Sequence, residues 1–383
     1  MQIAIVTDDL TSATDGSVAL AEAGWAVRVN RGTVRDTAAV VSVDMASRTS
    51  AREEAIRRAT AVGGKLADVP IVVSQFDSTL RGHVAAETLA LFRASGRRRV
   101  VVAPAFPSAG RFTINGCQFV DGVPVADSAY ARDPLNPVQC SDVVALFRAE
   151  GVSASLSAGD APIVLVRDAR TETELDLVIK EYADRPDVLL AGSTGLMRAL
   201  ARSGPKPQGS APGLACIQPS QKALVVVGSV NERSRQQLEF LTQGRSPPVF
   251  TIETSDNVSL TANRIAAGFE TVPVVAVTTA RTPGDPHNFA RKLSGVTREL
   301  IEASVIDALI VTGGETFGAI LDCLGTTSLD VLREIEPGVP LCRFERQKPV
   351  LAISKAGGFG SPEVFSKALQ VLFQGPVPQP PPH

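Results

Sequence analysis

The sequence predicts an α/β protein of two domains, each a mainly parallel sheet flanked by helices, with a β-hairpin region inserted in the first. Three observations support this. Short apolar runs alternate with helical segments along most of the chain, which is the pattern of parallel strands covered by helices. A chain of 383 residues is too long for one ordinary hydrophobic core. A stretch rich in Gly, Pro and Ser, without apolar periodicity, separates the two halves.

The composition excludes several classes of function. A formal net charge of −2 gives no electrostatic basis for binding nucleic acid or an anionic membrane. No apolar run reaches the roughly 18 residues of a membrane span, and no basic region or cleavable apolar segment precedes the first strand. We therefore expect a cytoplasmic protein. The five cysteines lack CxxC spacing and there are only three histidines, so we expect reduced thiols and no metal centre built by the protein.

The first half alternates strands and helices until an insertion breaks the pattern. Predicted strands cover residues 3–6, 26–29, 40–43, 70–73 and 100–103, with helices at 13–23, 52–61 and 83–92. Residues 111–125 carry Asn-Gly and Asp-Gly pairs between β-prone runs, which predicts hairpins. Two prolines make 131–137 a loop. The alternation resumes with strand 163–166, a helix from Thr171 with Glu174 at capping-box spacing, and strand 188–191.

The second half repeats the alternation. Predicted strands cover 223–227, 274–277, 308–311, 340–344 and 350–353, and helices cover 289–301 and 316–324. We predict a first domain at 1–202, a linker at 203–220 and a second domain at 221–370. Residues 371–376 resemble the cleavage site of a viral protease used to remove affinity tags, so 371–383 is interpreted as a tail outside the fold.

Chemically active side chains follow three strands of the first domain. One turn, between a buried strand and a helix, holds Asp77, Ser78, Thr79, Leu80 and Arg81. The first strand ends before Asp8 and Asp9, and another ends before Arg48. Because carboxyl ends of parallel strands meet at one edge of a sheet, we expect these groups to converge. Arginine forks suit a carboxylate, and aspartates suit either Mg²⁺ or a substrate hydroxyl, so the set fits a small polyhydroxy acid.

Other interpretations of these residues stay open. Asp, Ser and Thr are also the residues that cap helices, and an arginine in a loop is commonly solvated. A haloacid-dehalogenase-type phosphatase also has aspartates after its first strand. Here, however, Thr7 occupies the position of its nucleophilic aspartate.

Three glycine-containing turns follow strands of the second domain. The first contains Gly228 and Ser229, the second Gly313, Gly314, Glu315 and Thr316, and the third Lys355, Gly357 and Gly358. Backbone N–H groups at such turns bind phosphate oxygens, although glycine at a strand exit is most often turn chemistry alone. Neither a GxxxxGK[ST] nor a GxGxxG motif is present after a strand.

Together these motifs resemble the four-carbon acid sugar kinase family, over nearly the whole chain from Ile3 to about Leu369. The resemblance rests on blocks in the same order. These are Asp8 to Thr11, Asp77 to Gly82, Pro104 to Pro107 with Gly110 and Arg111, Ala131 to Pro137, Gly192 to Leu196, Gly228 and Ser229, Gly313 to Thr316, and Lys355 to Gly360.

The resemblance implies transfer of the γ-phosphate of ATP, with Mg²⁺, to the terminal hydroxyl of a threonate, erythronate or 3-oxo-tetronate. It implies a substrate site at Asp8, Asp9, Arg48 and residues 77–81, with Asp9 or Asp77 as the base. It implies a nucleotide site at Ser229, residues 313–316, Lys355, Gly357 and Gly358. The segment Ser74-Gln75-Phe76 lacks the lysine that the family usually has shortly before Asp77, and His83 stands where an asparagine is usual, so the preferred acid is open. The oligomeric state is also open, and a homodimer is one alternative. Two other functions stay open as well: a phosphatase and a non-catalytic acid-binding protein.

Overall fold

The chain divides into two compact units, residues 1–211 and 212–383. The computed structural model describes residues 1–35, 38–207, 218–229, 231–280 and 286–374. Most of the predicted linker, residues 208–217, lies outside the described residues, as does Cys216. The last helix of unit 1 ends at Ser203 and the first strand of unit 2 begins at Ala223.

Unit 1 is built on a parallel sheet. Its strands are β1 (Ile3–Thr7), β2 (Val27–Arg31), β3 (Val40–Asp44), β4 (Ile71–Gln75), β5 (Arg99–Ala103), β6 (Arg111–Ile114), β7 (Cys117–Val120), β8 (Val123–Pro124), β9 (Ala154–Ser155), β10 (Val164–Val166) and β11 (Val188–Gly192). Its helices are α1 (Leu10–Glu22), α2 (Arg52–Gly63), α3 (Val84–Ala94), α4 (Val143–Ala149), α5 (Glu172–Tyr182) and α6 (Thr194–Ser203). The sheet order is β2-β3-β1-β4-β11-β5-β10-β9, and the paired strands are parallel.

The predicted insertion forms a separate antiparallel sheet of β6, β7 and β8. Asn115 and Gly116 both have positive φ angles, of 51° and 75°, and Asp121 and Gly122 have φ of 49° and 83°. Two consecutive residues with positive φ define the type I′ turn that joins right-twisted strands. The hairpins predicted from the Asn-Gly and Asp-Gly pairs are therefore confirmed.

Alternation along the strands builds the core of unit 1. Ala4 and Val6 of β1 are buried with Ala59 and Val62 of α2 and Leu89 of α3. Successive strand residues point to opposite faces, and all five residues of β1 are buried because helices cover both faces. The capping box of α5 is confirmed, since Thr171 and Glu174 bond each other's backbone N–H.

Unit 2 is a second α/β unit with an antiparallel edge. Its strands are β12 (Ala223–Val227), β13 (Val249–Ile252), β14 (Val274–Thr279), β15 (Ala308–Thr312), β16 (Ser328–Glu336), β17 (Val339–Phe344) and β18 (Val350–Lys355). Its helices are α7 (Glu232–Arg245), α8 (Val258–Gly268), α9 (Pro286–Glu302), α10 (Gly314–Cys323) and α11 (Val364–Gln374). The order is β13-β14-β12-β15-β18-β17-β16, parallel as far as β18 and antiparallel from there.

Part of the predicted tail belongs to the fold. Helix α11 continues to Gln374, and Leu372 is fully buried in the core of unit 2. Excluding residues 371–374 from the fold was therefore wrong, because their apolar side chains complete the face of α11 that packs on the sheet. Residues 375–383 lie outside the described residues. Within the described ranges, no helix is long and apolar enough to cross a membrane.

Candidate functional site

The predicted acid-binding residues of unit 1 follow three neighbouring parallel strands. Strand β1 lies between β3 and β4, and Thr7 is in register with Asp44 on one side and Gln75 on the other. The segments containing Asp8, Arg48 and Asp77 therefore leave the sheet at the same edge. Arg48 contacts Asp8, Arg81 contacts Asp77, and Gly82 of the central turn closely approaches Asp8 and Arg48. The predicted convergence of these segments is therefore confirmed.

Arg48 is the centre of an ion-pair network with the two aspartates after β1. Its Nε and Nη2 donate to the two carboxylate oxygens of Asp8 at 2.7 Å, and Nη1 donates to Asp9. Nη2 also donates to Ser12 Oγ at 3.0 Å. Four of the five guanidinium N–H bonds are thus occupied within the described part of the chain. The side chain remains 15% exposed, so Arg48 both fixes the aspartates and faces the site.

Asp9 also caps α1. Its Oδ1 accepts from the backbone N–H of Ser12 at 2.7 Å, which is the N-cap role that sequence analysis left open beside a chemical one. The cap fixes the carboxylate at the positive end of the helix dipole. Its side chain is 28% exposed, the highest fraction among the paired aspartates after β1. Capping and chemistry are therefore compatible functions of this residue.

Asp77 and Arg81 pair with each other across the central turn. Arg81 donates from Nε to Asp77 Oδ2 at 2.8 Å and from Nη2 to Oδ1 at 3.3 Å, and Thr79 donates its hydroxyl to the same carboxylate. Burial raises the pKa of Asp77, but Arg81, the charge of Arg48 and the Thr79 hydroxyl outweigh it and hold the pKa well below its usual range. Asp77 is therefore a weak base in this structure.

The inserted hairpins support the central turn, which sequence analysis did not anticipate. Buried Gln118 on β7 donates its amide to the Ser78 carbonyl at 2.8 Å. Asp133, in the predicted loop 131–137, accepts from Arg81 Nη1 at 3.3 Å, and the Arg81 guanidinium lies 5.4 Å from the ring centre of Tyr130. The insertion thus fixes the orientation of Arg81. The only sequence signal for this contact was that Asp133 lies in the block Ala131 to Pro137, one of those that carry the family resemblance.

The backbone of the turn is as specific as its side chains. Leu80 has a positive φ of 62° although it is not glycine, and its side chain is buried. Gly82 has φ of 86°, and an added Cβ would lie 3.1 Å from Asp8 Oδ2 and 3.4 Å from Cγ of Arg48. A side chain at position 82 would therefore strain the backbone and press on the ion-pair network.

Asp8 and two further carboxyl groups, those of Glu87 and Asp44, have pKa values above their usual range. Burial, with the charges of Asp9 and Asp77, raises the pKa of Asp8, although Arg48 opposes it. Burial, with the charge of Asp8, raises the pKa of Glu87 on α3 to about 8, and burial raises that of Asp44 to about 6. Glu87 Oε1 has no hydrogen-bond partner in the described part of the chain. A proton on Glu87 at neutral pH limits the negative charge beneath Asp8.

The three glycine turns of unit 2 also meet at one sheet edge. Val227 is in register with Thr312, and Thr312 with Lys355, so β12, β15 and β18 end side by side. A Cβ added to Gly228 would lie 2.3 Å from Thr316 Oγ1, and one added to Gly357 would lie 2.2 Å from Ser229 Oγ. Gly228 and Gly357 are therefore required because neighbouring turns pack too closely for a side chain, in addition to any requirement of the turns themselves.

Helices α7 and α10 begin directly after the first and second of these turns. Helix α10 begins at Gly314 after Gly313, whose φ is 94°, without a side-chain cap. Such an end leaves N–H groups for an anion. Ser229 accepts from the N–H of Asn231 at 3.2 Å and Asn231 caps α7. Glu315 is exposed and Thr316 is buried. An uncapped helix end beside close-packed glycine turns is suited to binding phosphate oxygens.

Lys355 is buried, whereas a lysine that binds phosphate directly would be exposed to the ligand. Its side chain is only 2% exposed, and its Nζ donates to Ser234 Oγ and to the Gly357 carbonyl, both at 3.2 Å. Burial, followed by the charge of Arg233, lowers the pKa of Lys355 to about 8. Lys355 therefore lies under the third glycine turn, while Gly357 and Gly358 lie in it.

Comparison with known proteins gives a separate family model for each part of the chain. The family model of a sugar-binding N-terminal domain matches residues 3–200, and that of a nucleotide-binding C-terminal domain matches residues 224–365. A D-threonate kinase of Cupriavidus necator is 32% identical over 98% of this chain and 99% of its own length. A 3-oxo-tetronate kinase of Methylobacterium radiotolerans is 28% identical over 97% and 99%. A crystal structure from Salmonella typhimurium, described as a tRNA synthase, has a TM-score of 0.82 at 25% identity, covering 96% of this chain and 98% of that one.

Proposed function

Because the chain belongs to the four-carbon acid sugar kinase family, we propose that it transfers the γ-phosphate of ATP to the terminal hydroxyl of a four-carbon acid. Relatives that act on D-threonate and on 3-oxo-tetronate have nearly equal identity to this chain. The substrate class therefore comprises threonate, erythronate and 3-oxo-tetronate, and identity does not select among them.

The observation that carries the proposal is the division of chemistry between the units. Unit 1 concentrates guanidinium and carboxylate groups at one sheet edge, around Arg48 and Arg81. Unit 2 places close-packed glycine turns and helix N-termini at its sheet edge, around Ser229 and Thr316. An acid sugar needs the first set and a triphosphate needs the second. Phosphoryl transfer requires mostly positioning and charge stabilisation, which both sets supply.

Within unit 1, we assign the acid carboxylate to Arg81 and to the remaining N–H of Arg48. Arg81 is 28% exposed, and its contacts with Asp77 and Asp133 use Nε and one N–H of each Nη atom, which leaves one N–H on each Nη atom for the acid. Tyr130 and Asp133 orient this guanidinium. The substrate hydroxyls then lie against Asp9 and the Ser78 to Leu80 backbone.

Asp9 is the better placed of the two proposed bases. It is more exposed than Asp77, which is 14% exposed and bonded on both oxygens by Arg81. Asp77 instead keeps Arg81 in position. In phosphoryl transfer the aspartate orients the nucleophilic hydroxyl and takes its proton as the bond to phosphorus forms.

Magnesium fits unit 2 as an ion held mainly by the nucleotide. The described residues contain no group of three or more acidic, His or Cys side chains placed to bind a metal, whereas Glu315 presents an exposed carboxylate at the first turn of α10. Mg²⁺ in nucleotide sites commonly uses one or two carboxylates together with phosphate oxygens and water. When bound, it neutralises charge on the β- and γ-phosphates.

The phosphatase alternative lacks a nucleophile. Thr7, at that position, is fully buried and donates its hydroxyl to the carbonyl of Asp9 at 3.0 Å. A non-catalytic binding protein would retain the acid site without turnover.

One assay separates the three activities. ADP formation is measured with Mg-ATP and a panel of threonate, erythronate and 3-oxo-tetronate stereoisomers, with phosphate release from the phosphorylated acids as the comparison. We expect ADP formation that depends on at least one acid and no phosphate release. Phosphate release without ATP would support the phosphatase, and acid binding without ADP would support the binding protein.

A further inference from the structure

The third glycine turn of unit 2 is held from below by side chains of α7. Gln237 Nε2 lies 3.0 Å from each of the carbonyls of Phe359, Gly360 and Ser361. Ser234 donates its hydroxyl to the Gly357 carbonyl at 2.9 Å. Both side chains are fully buried. Four carbonyl groups of one turn are therefore directed at one helix.

The direction of these carbonyls determines where the N–H groups of the turn point. In a trans peptide the N–H of the next residue is opposite to the C=O, and the described chain contains no cis peptide. The Ser361 N–H illustrates this, since it donates to Glu336 Oε2 at 2.6 Å, away from α7. By the same geometry the Gly358 N–H points away from α7. An added Cβ on Gly358 would be 3.7 Å from the side chain of Asn231, next to Ser229.

Lys355 adds a buried charge to the same support. Its ammonium bonds a hydroxyl and a carbonyl, and no carboxylate pairs with it among the described residues. A buried cation without a counter-charge is unfavourable. The exposed Arg233 contributes a second positive charge nearby, with its Nε on the Gly360 carbonyl at 3.0 Å. A polyphosphate bound at this end of the sheet would supply a counter-charge to both cations.

We propose that Ser234, Gln237 and Lys355, which we name the loop anchor, are positioning residues that aim the turn after β18 at the phosphates of the nucleotide. The proposal rests on the proposed function of unit 2 as a nucleotide site. The anchor does not touch the ligand. It fixes the carbonyls of Gly357, Phe359, Gly360 and Ser361 on the α7 side, so that the N–H of Gly358 faces the ligand, and its ammonium supplies a fixed positive charge behind the turn.

The test compares variants of the full chain. Ser234→Ala, Gln237→Leu and Lys355→Met each remove one part of the loop anchor. The matched control is Gln236→Leu, the same change at an exposed position of the same helix. Ser234→Thr keeps the hydroxyl and serves as the conservative rescue. Binding of Mg-ATP is measured with a fluorescent ATP analogue, and KM for ATP and for the acid are measured separately.

We expect a selective loss of nucleotide affinity. Ser234→Ala should raise the dissociation constant and KM for ATP about fivefold, the effect of one hydrogen bond. Lys355→Met should raise them on the order of tenfold or more, because the fixed positive charge behind the turn and its charge-assisted hydrogen bond to the Gly357 carbonyl are both lost. The KM for the acid should change less than twofold, and Gln236→Leu and Ser234→Thr should bind ATP like the wild type.

Two results would overturn the proposal. One is wild-type ATP affinity in Ser234→Ala, which removes a single hydroxyl and so decides the question even if the larger changes prevent folding. The other is an equal loss of ATP and acid affinity that follows a loss of thermal stability, since that marks a purely structural role. Failure of the wild type itself to bind Mg-ATP would refute the proposed function instead, so the two failures are distinguishable.

Discussion

At the scale of single residues, the two aspartates of the proposed acid site differ in their partners. Asp9 accepts one hydrogen bond from a backbone N–H and one contact from Arg48, whereas Asp77 is held on both oxygens by Arg81. Removing the charge of Asp9 should therefore affect the chemical step. Removing that of Asp77 should release Arg81 and affect acid binding.

We predict that Asp9→Asn lowers kcat by about 10²- to 10⁴-fold, the range of general-base catalysis, with a small change in KM for the acid. Asp77→Asn should raise KM for the acid about tenfold or more and lower kcat less. Steady-state kinetics with varied acid measures both. Asp68→Asn is the control, since it is exposed and precedes β4 at the opposite end of the strand. Full turnover in both site variants would refute the assignment.

Lys355 gives the nucleotide site a predicted pH dependence. Burial and the charge of Arg233 on α7 lower the pKa of Lys355 from its ordinary value of 10.5 to about 8, and its other polar contacts are uncharged. A bound polyphosphate favours the charged lysine and so raises its pKa. The affinity for ATP should therefore be constant below about pH 8 and decrease above it, by up to about tenfold per unit.

The measurement is the dissociation constant of an ATP analogue from pH 7.5 to 9.5. Lys355→Met should bind more weakly at pH 7.5 and lose the decrease at higher pH. The affinity for the acid, measured over the same range, shows whether the change is confined to unit 2. An equally steep decrease in Lys355→Met would assign the titration to another group.

At the scale of elements, the turn after β18 contains two adjacent glycines with different surroundings. A Cβ on Gly357 would lie 2.2 Å from Ser229 Oγ and 2.9 Å from Cβ of Asn231, whereas one on Gly358 would be 3.7 Å from its nearest neighbour. Neither glycine has a positive φ, so the difference is one of space alone. Substituting each glycine in turn therefore gives a matched test of whether the glycine turns must pack closely to bind phosphate.

We predict that Gly357→Ala raises KM for ATP on the order of tenfold, because the turn must move away from Ser229 at the end of β12. Gly358→Ala should leave KM for ATP within about twofold, since ordinary contact distances accommodate its methyl group. Thermal unfolding of both variants should stay near that of the wild type, as the turn is outside the core. Equal KM values in the two variants would contradict the predicted convergence on phosphate.

The elements that the sequence revealed are those with a local signal. Strand β1 is a continuous apolar run, and the hairpin turns carry Asn-Gly and Asp-Gly pairs that adopt positive φ. Strand β13 is a mostly exposed edge strand, and β16 mixes polar and apolar residues in an antiparallel pair with register shifts, so neither has the pattern of a buried parallel strand. Both were missed for that reason.

Contacts across long sequence separations could not be inferred. Gln118 bonds Ser78 across 40 residues, and Asp133 bonds Arg81 across 52. No local pattern encodes such a pair, since each depends on how the insertion packs on the sheet. The convergence of Asp8, Arg48 and Asp77 could be predicted because sheet topology places strand ends together. The ion pairs that Arg48 forms with Asp8 and Asp9 could not be predicted in this way.

At the scale of the whole molecule, the proposed reaction requires groups of both units. The attacking hydroxyl and the γ-phosphate must approach to about 3–3.5 Å, while the acid-binding groups belong to unit 1 and the glycine turns to unit 2. If both ligands favour the same arrangement of the units, each must strengthen the binding of the other. We hypothesise that this arrangement is a closed one that excludes water from the reacting groups.

We predict that a saturating acid substrate increases the affinity for a non-hydrolysable ATP analogue about fivefold or more, the lower end of typical coupling between sites. Titration calorimetry of the analogue with and without the acid measures this factor. The reverse titration is an internal control, because linkage requires the acid to gain affinity by the same factor. An acid that lacks the terminal hydroxyl should still bind and should show whether coupling depends on the reacting group. Independent binding of the two ligands would mean that the units do not act as a pair, and catalysis by domain closure would then be wrong even if each site were assigned correctly.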